Sequence, residues 1–201
     1  MRGRFLTVIV AGFLIGALAG AAALIVTRAP TGPGVATTGT ALIGGPFTLV
    51  GREGKTVTDR AFRGKFMLVF FGFTHCPDIC PAELQVMSAA LDDLGPKAND
   101  IVPIFITLDP ERDTPKVVAD YVANFNPRFV GLTGSPEQVA EAAKAYRVTY
   151  SKFQEEGAKP DDYTIDHVAL VYLMGKDGEY LANFAYGTPA AKMAETLKRY
   201  L

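Results

Sequence analysis

Apolar positions fall along the chain in three different ways. Residues 5–26 (FLTVIVAGFLIGALAGAAALIV) run without a charge, and Thr7 is the one polar side chain among them. Residues 29–46 are rich in Gly, Pro and Thr and carry no strand or helix period, which predicts a linker. From residue 47 onward short apolar runs alternate with amphipathic ones, as in a folded domain. Residues 47–50 and 55–58, around Arg52-Glu53-Gly54, predict a small hairpin. Residues 66–73 (FMLVFFGF) and 101–108 (IVPIFITL) are continuous apolar runs, the mark of strands covered on both faces, with Pro103 a mild objection to the second. Between them Pro81 opens a pattern with Leu84, Met87, Ala90, Leu91 and Leu94 on one helical face, closed by Gly95-Pro96. Asp113-Thr114-Pro115 predicts the start of a helix over 117–125, and residues 129–132 a short strand. Ser135-Pro136-Glu137-Gln138 places an N-cap and a first-turn proline ahead of a helix to Tyr146. Strands follow at 148–153, 167–174 and 180–184, the last two joined through Gly175-Lys176-Asp177-Gly178, and a final helix runs from Thr188-Pro189 to Leu201.

The order β-α-β-α-β, then an antiparallel hairpin and a closing helix, resembles the thioredoxin pattern and predicts an α/β domain over residues 47–201. In such folds reactive groups collect where a central strand hands over to its helix.

About 20 apolar residues, at about 1.5 Å each in a helix, match a hydrocarbon core of about 30 Å. Residues 1–28 are therefore expected to be a single transmembrane anchor. Arg2 and Arg4 against Arg28 place the short N-terminus on the cytoplasmic side and the domain across the membrane. A cleaved signal peptide is the competing reading, helped by Ala17, Ala19, Gly20 and Ala21, but signal h-regions run about 7–15 residues. Both readings export the domain. The N-terminus lacks the Arg- and Ser-rich amphipathic character of a mitochondrial presequence, which favours a bacterial inner membrane with the domain in the periplasm.

Hydrophobic residues make up 49% of the 201 and charged residues 20%, enough apolar side chains for a core besides the anchor. Residues 1–28 hold three of the 20 basic side chains and none of the 21 acidic ones, leaving the remainder at a formal −4. A mildly acidic domain without a basic stripe is not a nucleic-acid binder. There are no internal repeats.

Both cysteines of the chain fall in Thr74-His75-Cys76-Pro77-Asp78-Ile79-Cys80-Pro81, at the predicted strand-to-helix junction. A sulfur at a helix N-terminus is favoured as thiolate, the form that ligates metals and attacks disulfides. Three intervening residues make a wider loop than the C-x-x-C of thioredoxins, with room for both sulfurs to converge on one ion. A structural disulfide is the bland alternative for an exported protein, but so short a loop removes little unfolded-state entropy. Spacing alone leaves disulfide, thiol redox chemistry and metal binding open. A peroxiredoxin-type peroxidase would carry Thr three residues before its reactive cysteine, where this chain has Phe73 and Pro77.

Of the two histidines, His75 adjoins Cys76 and is expected to be packed or hydrogen-bonded, since sequence neighbours point apart in extended backbone. His167 opens a predicted strand after the polar loop 155–166, and in a thioredoxin fold that loop lies beside the cysteine loop. An isolated histidine is commonly a strand-edge residue, so His167 becomes a candidate only together with the cysteines. Two thiolates and an imidazole suit Cu(I), and also Cu(II); zinc usually takes a fourth ligand, for which only His75 remains. Asp166 and Asp78 are candidates for fixing the imidazole tautomer.

The run Phe71-Gly72-Phe73-Thr74-His75-Cys76-Pro77-Asp78-Ile79-Cys80-Pro81 strongly resembles the signature of the SCO/SenC family of cytochrome oxidase assembly factors. The resemblance extends to Thr107-Leu108-Asp109-Pro110-Glu111-Arg112-Asp113-Thr114-Pro115 and to Asp162-Tyr163-Thr164-Ile165-Asp166-His167, with the Gly-x-Asp-Gly turn beyond. Residues 151–162 match loosely. The resemblance implies a thioredoxin-like domain behind one membrane span, binding copper through Cys76, Cys80 and His167. It further implies a metallochaperone role at the CuA centre of cytochrome c oxidase subunit II, with another copper chaperone as donor. The alternative it carries is a membrane-tethered thiol-disulfide oxidoreductase, with Cys76 and Cys80 as its redox pair, that keeps the CuA-site cysteines reduced.

Overall fold

The computed structural model describes residues 43–159 and 161–201. The expected anchor and residues 29–42 of the expected linker lie outside these, and among the described residues no helix is long and apolar enough to cross a membrane. Residues 43–46, expected in the linker, dock on the domain: the Gly44 amide donates to the Ala145 carbonyl at 2.9 Å, and Ile43 packs against the core.

Among the described residues the first elements are the expected hairpin, β1 (Thr48–Val50) and β2 (Thr56–Thr58). The chain continues through β3 (Phe66–Gly72), α1 (Ile79–Leu94), β4 (Ile101–Thr107), α2 (Pro115–Ala123), β5 (Val130–Leu132) and α3 (Pro136–Ala145). A ribbon of β6 (Tyr150–Phe153) and β7 (Thr164–His167) follows, then β8 (Leu170–Met174), β9 (Tyr180–Ala185) and α4 (Ala190–Leu197). The main sheet has the order β5-β4-β3-β8-β9. Within it β3, β4 and β5 are parallel, while β8 and β9 run antiparallel.

All seven residues of β3 are buried, which is why its sequence shows no alternation: both faces are covered. Phe70, Phe71, Ile104, Phe105 and Ile106 form the centre with Leu84, Met87 and Leu91 of α1. Pro103 pairs with Leu68 of β3, whereas β5 pairs only with Ile104–Ile106 of β4. At Pro103 the strand therefore has a partner on one side alone, where a missing amide is tolerated.

The helix starts behave as their sequences predict at two places. Thr114 Oγ1 accepts from the Val117 amide, and Ser135 with Gln138 forms a complete capping box. The helix expected to open at Pro81 begins two residues earlier, at Ile79. Pro81 then sits in the first turn, where an amide would lack a helical partner in any case. Cys80 is thereby inside the helix and Cys76 in the loop before it.

The strand expected over 167–174 is in fact two strands. β7 ends on His167, and β8 begins at Leu170. Tyr150↔His167 is the last pair of a separate two-stranded sheet, and Leu170↔Ala185 the first pair between β8 and β9. Between them the Val168 amide still bonds back to Thr149, while the Ala169 carbonyl already accepts from Tyr186. The apolar run hides this change of sheet, and Val168 is exposed at the bend.

Candidate metal centre

The cysteine loop leaves the end of β3 and enters α1 within a few residues, so the first amides of the helix have no backbone acceptor. The Cys76 sulfur serves as one: the Cys80 amide donates to Cys76 Sγ at 3.4 Å. The Cys80 thiol also donates to Cys76, and the Asp78 amide adds a further bond. Hydrogen bonds to the charged form favour it. With the Cys80 thiol as the main cause, the Cys76 thiol is lowered to about 5, and partial burial works against that shift without cancelling it. Cys80 is fully buried, and donating to Cys76, together with that burial, pushes its own thiol far up. The two cysteines are not joined by a disulfide, and their surroundings favour charge on the half-buried Cys76 over Cys80.

Space for the Cys80 sulfur comes from Gly72, the last residue of β3. A Cβ there would lie 2.7 Å from Cys80 Sγ and 2.9 Å from Phe105 Cε2. This glycine is required by close approach rather than by an unusual backbone angle.

His167 Nε2 lies 3.8 Å from Cys80 Sγ. The other ring nitrogen, Nδ1, is 3.2 Å from the Val168 carbonyl. A carbonyl oxygen only accepts, so Nδ1 carries the proton and Nε2 turns its lone pair toward the sulfur. Burial pulls the imidazole below the ordinary histidine range and so favours its neutral form, with the Val168 carbonyl working in the opposite sense. Phe70 and Phe73 hold the ring from two directions, each 6.2 Å away between centroids. Cys76 and His167 line one cleft of about 250 Å³ with Phe73, Pro77, Ile79 and Asp166.

The expectation that Asp166 or Asp78 fixes the tautomer is corrected by this arrangement. The Val168 carbonyl takes that role, and Asp78 acts through its backbone, since its side chain makes no capping bond. His75 is exposed, with Nδ1 3.2 Å from Thr74 Oγ1 and 3.8 Å from Asp113 Oδ1. His75, Asp109 and Asp113 bring ligand-type atoms within 4.8 Å of one another, but the carboxylates already have donors. Asp113 accepts from the Thr74 amide, the Thr74 hydroxyl and the Thr107 hydroxyl; Asp109 accepts from Arg112 Nε and the Tyr163 hydroxyl. That cluster is a set of braces, not an open cation site. Gly72, Asp113 and Val168 were missed as site residues in the sequence; the glycine closing an apolar strand at the cysteine loop was the one available signal.

The site invites comparison with known proteins. A sequence model of the SCO1/SenC family matches residues 35–201. The chain belongs to this family. Protein sco1 of Schizosaccharomyces pombe is 44% identical over 167 residues, which cover 83% of this chain and 64% of that protein. The chain thus spans less than two thirds of that relative's length. The structure of Bradyrhizobium japonicum ScoI with copper bound is similar at a TM-score of 0.72 and 45% identity, covering 79% of this chain and 99% of that one. A structure reported as identifying a disulfide switch in BsSco, described as a member of the Sco family of cytochrome c oxidase assembly proteins, aligns at a TM-score of 0.58 and 28% identity. It covers 77% of this chain and 90% of that one. The fold is the α/β, thioredoxin-like fold of Sco proteins.

Proposed function

We propose that Cys76, Cys80 and His167 bind a single copper ion as cargo, and that the protein hands it to the CuA centre of cytochrome c oxidase subunit II. The observation that carries this reading is the 3.8 Å approach of His167 Nε2 to Cys80 Sγ with Nδ1 committed to a carbonyl. His167 Nε2 faces Cys80 Sγ and Cys76 lines the same cleft as His167, so the three side chains offer a soft donor set suited to copper. A copper-bound relative of 45% identity supports the choice of metal. Binding displaces the Cys80 proton, so uptake releases a proton to solvent. Copper arrives from another chaperone. The apolar run 5–26 anchors the chain in a bacterial inner membrane with the domain in the periplasm.

A second reading, a tethered thiol-disulfide oxidoreductase acting on the CuA-site cysteines, is favoured by the Cys76 thiolate, which is half-buried and reactive at neutral pH. Oxidation of the pair, one thiolate and one thiol, to a disulfide gives up two electrons and the Cys80 proton and removes both sulfur ligands. Copper binding and disulfide exchange therefore exclude each other at any moment.

Titration of the reduced full-length protein with Cu(I) tests the first reading. One equivalent is expected for the reduced protein and none for the oxidised protein or the Cys76→Ser/Cys80→Ser variant; equal uptake by that variant refutes it. Oxidase activity in cells carrying His167→Ala separates the two functions: loss supports copper delivery, and retention supports the reductase.

A further inference from the structure

His167 sits on a ribbon whose ladder hydrogen bonds are all internal: β6 and β7 pair with each other and form their own sheet. The place of the imidazole relative to the sulfurs therefore depends on what ties the ribbon to the main body, beyond the apolar contacts of Ile165 with the core and of the ring with Phe70 and Phe73. The polar ties converge on residues 108–114, between β4 and α2. The Tyr163 hydroxyl donates to Asp109 Oδ1 at 2.8 Å. Arg112 Nη1 donates to the carbonyls of Asp161 and Tyr163, each at 3.2 Å, while its Nε donates to Asp109. The guanidinium lies 3.6 Å from the centre of the Tyr163 ring, and Lys152 covers the ring at the same distance. Asp109 is buried, so these bonds to a carboxylate are little weakened by solvent.

The far end of the same loop holds the other arm of the site. Asp113, fully buried, accepts from the amide and hydroxyl of Thr74, two residues before Cys76. Thr107 joins the two ends, donating to Asp113 and accepting from the Asp109 amide at 2.9 Å. One hydrogen-bonded chain thus runs from the cysteine loop to the residue just before β7. From Tyr163 to His167 is four strand residues, a lever of about 13 Å at about 3.3 Å each.

We infer that Asp109, Arg112 and Tyr163 are positioning residues that set the separation between His167 and the cysteine pair, through a loop that grips both. This inference rests on the three-ligand reading given above. Groups that orient a metal-bound histidine from behind typically alter affinity 10–100-fold when removed.

The test measures Cu(I) affinity of the reduced full-length protein in mild detergent, by competition with a chromogenic chelator. Tyr163→Phe, which keeps the stacked ring, and Arg112→Gln are each expected to raise Kd about tenfold. In a His167→Ala background the same changes are expected to move Kd less than about twofold, because the lever then carries nothing. An unchanged Kd in Tyr163→Phe and Arg112→Gln overturns the inference, as does an equal loss with and without His167. In the metal-free protein, one sharp set of His167 ring-proton resonances is expected to broaden or double in Tyr163→Phe; an unaltered set overturns the inference independently of copper. An unchanged Kd for His167→Ala alone overturns the three-ligand reading first, and is visible without any change at the loop.

Discussion

A methyl group on Gly72 would stand 2.7 Å from the sulfur of Cys80. The site is thus built into the floor of the sheet, and its buried sulfur occupies the place of a side chain that β3 does not have. Gly72→Ala must relieve contacts with both that sulfur and the Phe105 ring, and overpacking of this kind costs about 1–3 kcal/mol. A lower melting temperature and weaker Cu(I) binding are expected together, measured by thermal unfolding and by chelator competition. Melting and affinity both equal to those of the unaltered protein would contradict the close approach.

The unequal charge of the cysteine pair predicts a reactivity profile. Alkylation of Cys76 by iodoacetamide is expected to rise with a midpoint at about pH 5, whereas an ordinary thiol rises above about pH 8. Cys80, buried and donating to Cys76, is expected to stay unlabelled through neutral pH. Peptide mapping after timed labelling distinguishes them; equal labelling of both would show that the charge is shared.

Glu83 lies on α1 three residues beyond Cys80, buried, with neither carboxylate oxygen bonded. Burial raises its carboxyl from 4.5 to about 7. The folded state then holds a proton that the unfolded chain releases at lower pH. This contribution to stability is full below about pH 4.5 and is lost as pH rises through about 7. A displacement of that size corresponds to about 3 kcal/mol. Cys76 and His167, both lowered, work in the opposite sense over the same range, so the Glu83 effect is read by difference. The melting temperature of Glu83→Gln is expected to gain on that of the unaltered protein as pH rises from 5 to 8, and Glu83→Met to raise the midpoint at pH 8. A difference between Glu83→Gln and the unaltered protein that does not change with pH would rule out a titrating Glu83.

The tautomer of His167 is set by its neighbour's carbonyl, not by a carboxylate. Asp166→Asn is accordingly expected to change copper affinity less than about twofold, below the 10–100-fold typical of a true orienting partner. His75→Ala should be equally mild, since its exposed ring is engaged by Thr74. Competition titrations of the two variants check this, and a tenfold loss in either would restore that residue to the site.

Much of the fold is legible in the sequence because its signals are local. The runs that became β3 and β4 are apolar throughout because each strand is covered on both faces, and Thr114 and Ser135 announce their helices by capping chemistry. The break at Val168-Ala169 is not local. It arises because the chain leaves one sheet for another, and an apolar run reads the same in either. The cysteine pair is legible as a site because its position at a strand-to-helix junction carries the chemistry. The brace of Asp109, Arg112 and Tyr163 is invisible until folding joins positions about 50 residues apart. Glu83 has the opposite character: on a helix its charge suggests a solvated face, yet it is buried.

The sulfurs and the imidazole arrive on parts of the molecule with different mechanical standing. Cys80 is rooted in a helix against a five-stranded sheet, whereas His167 rides on an outlying two-stranded ribbon. On the three-ligand reading, an ion would be gripped from two separately anchored parts of the molecule, a strand-to-helix junction and a ribbon braced through residues 108–114.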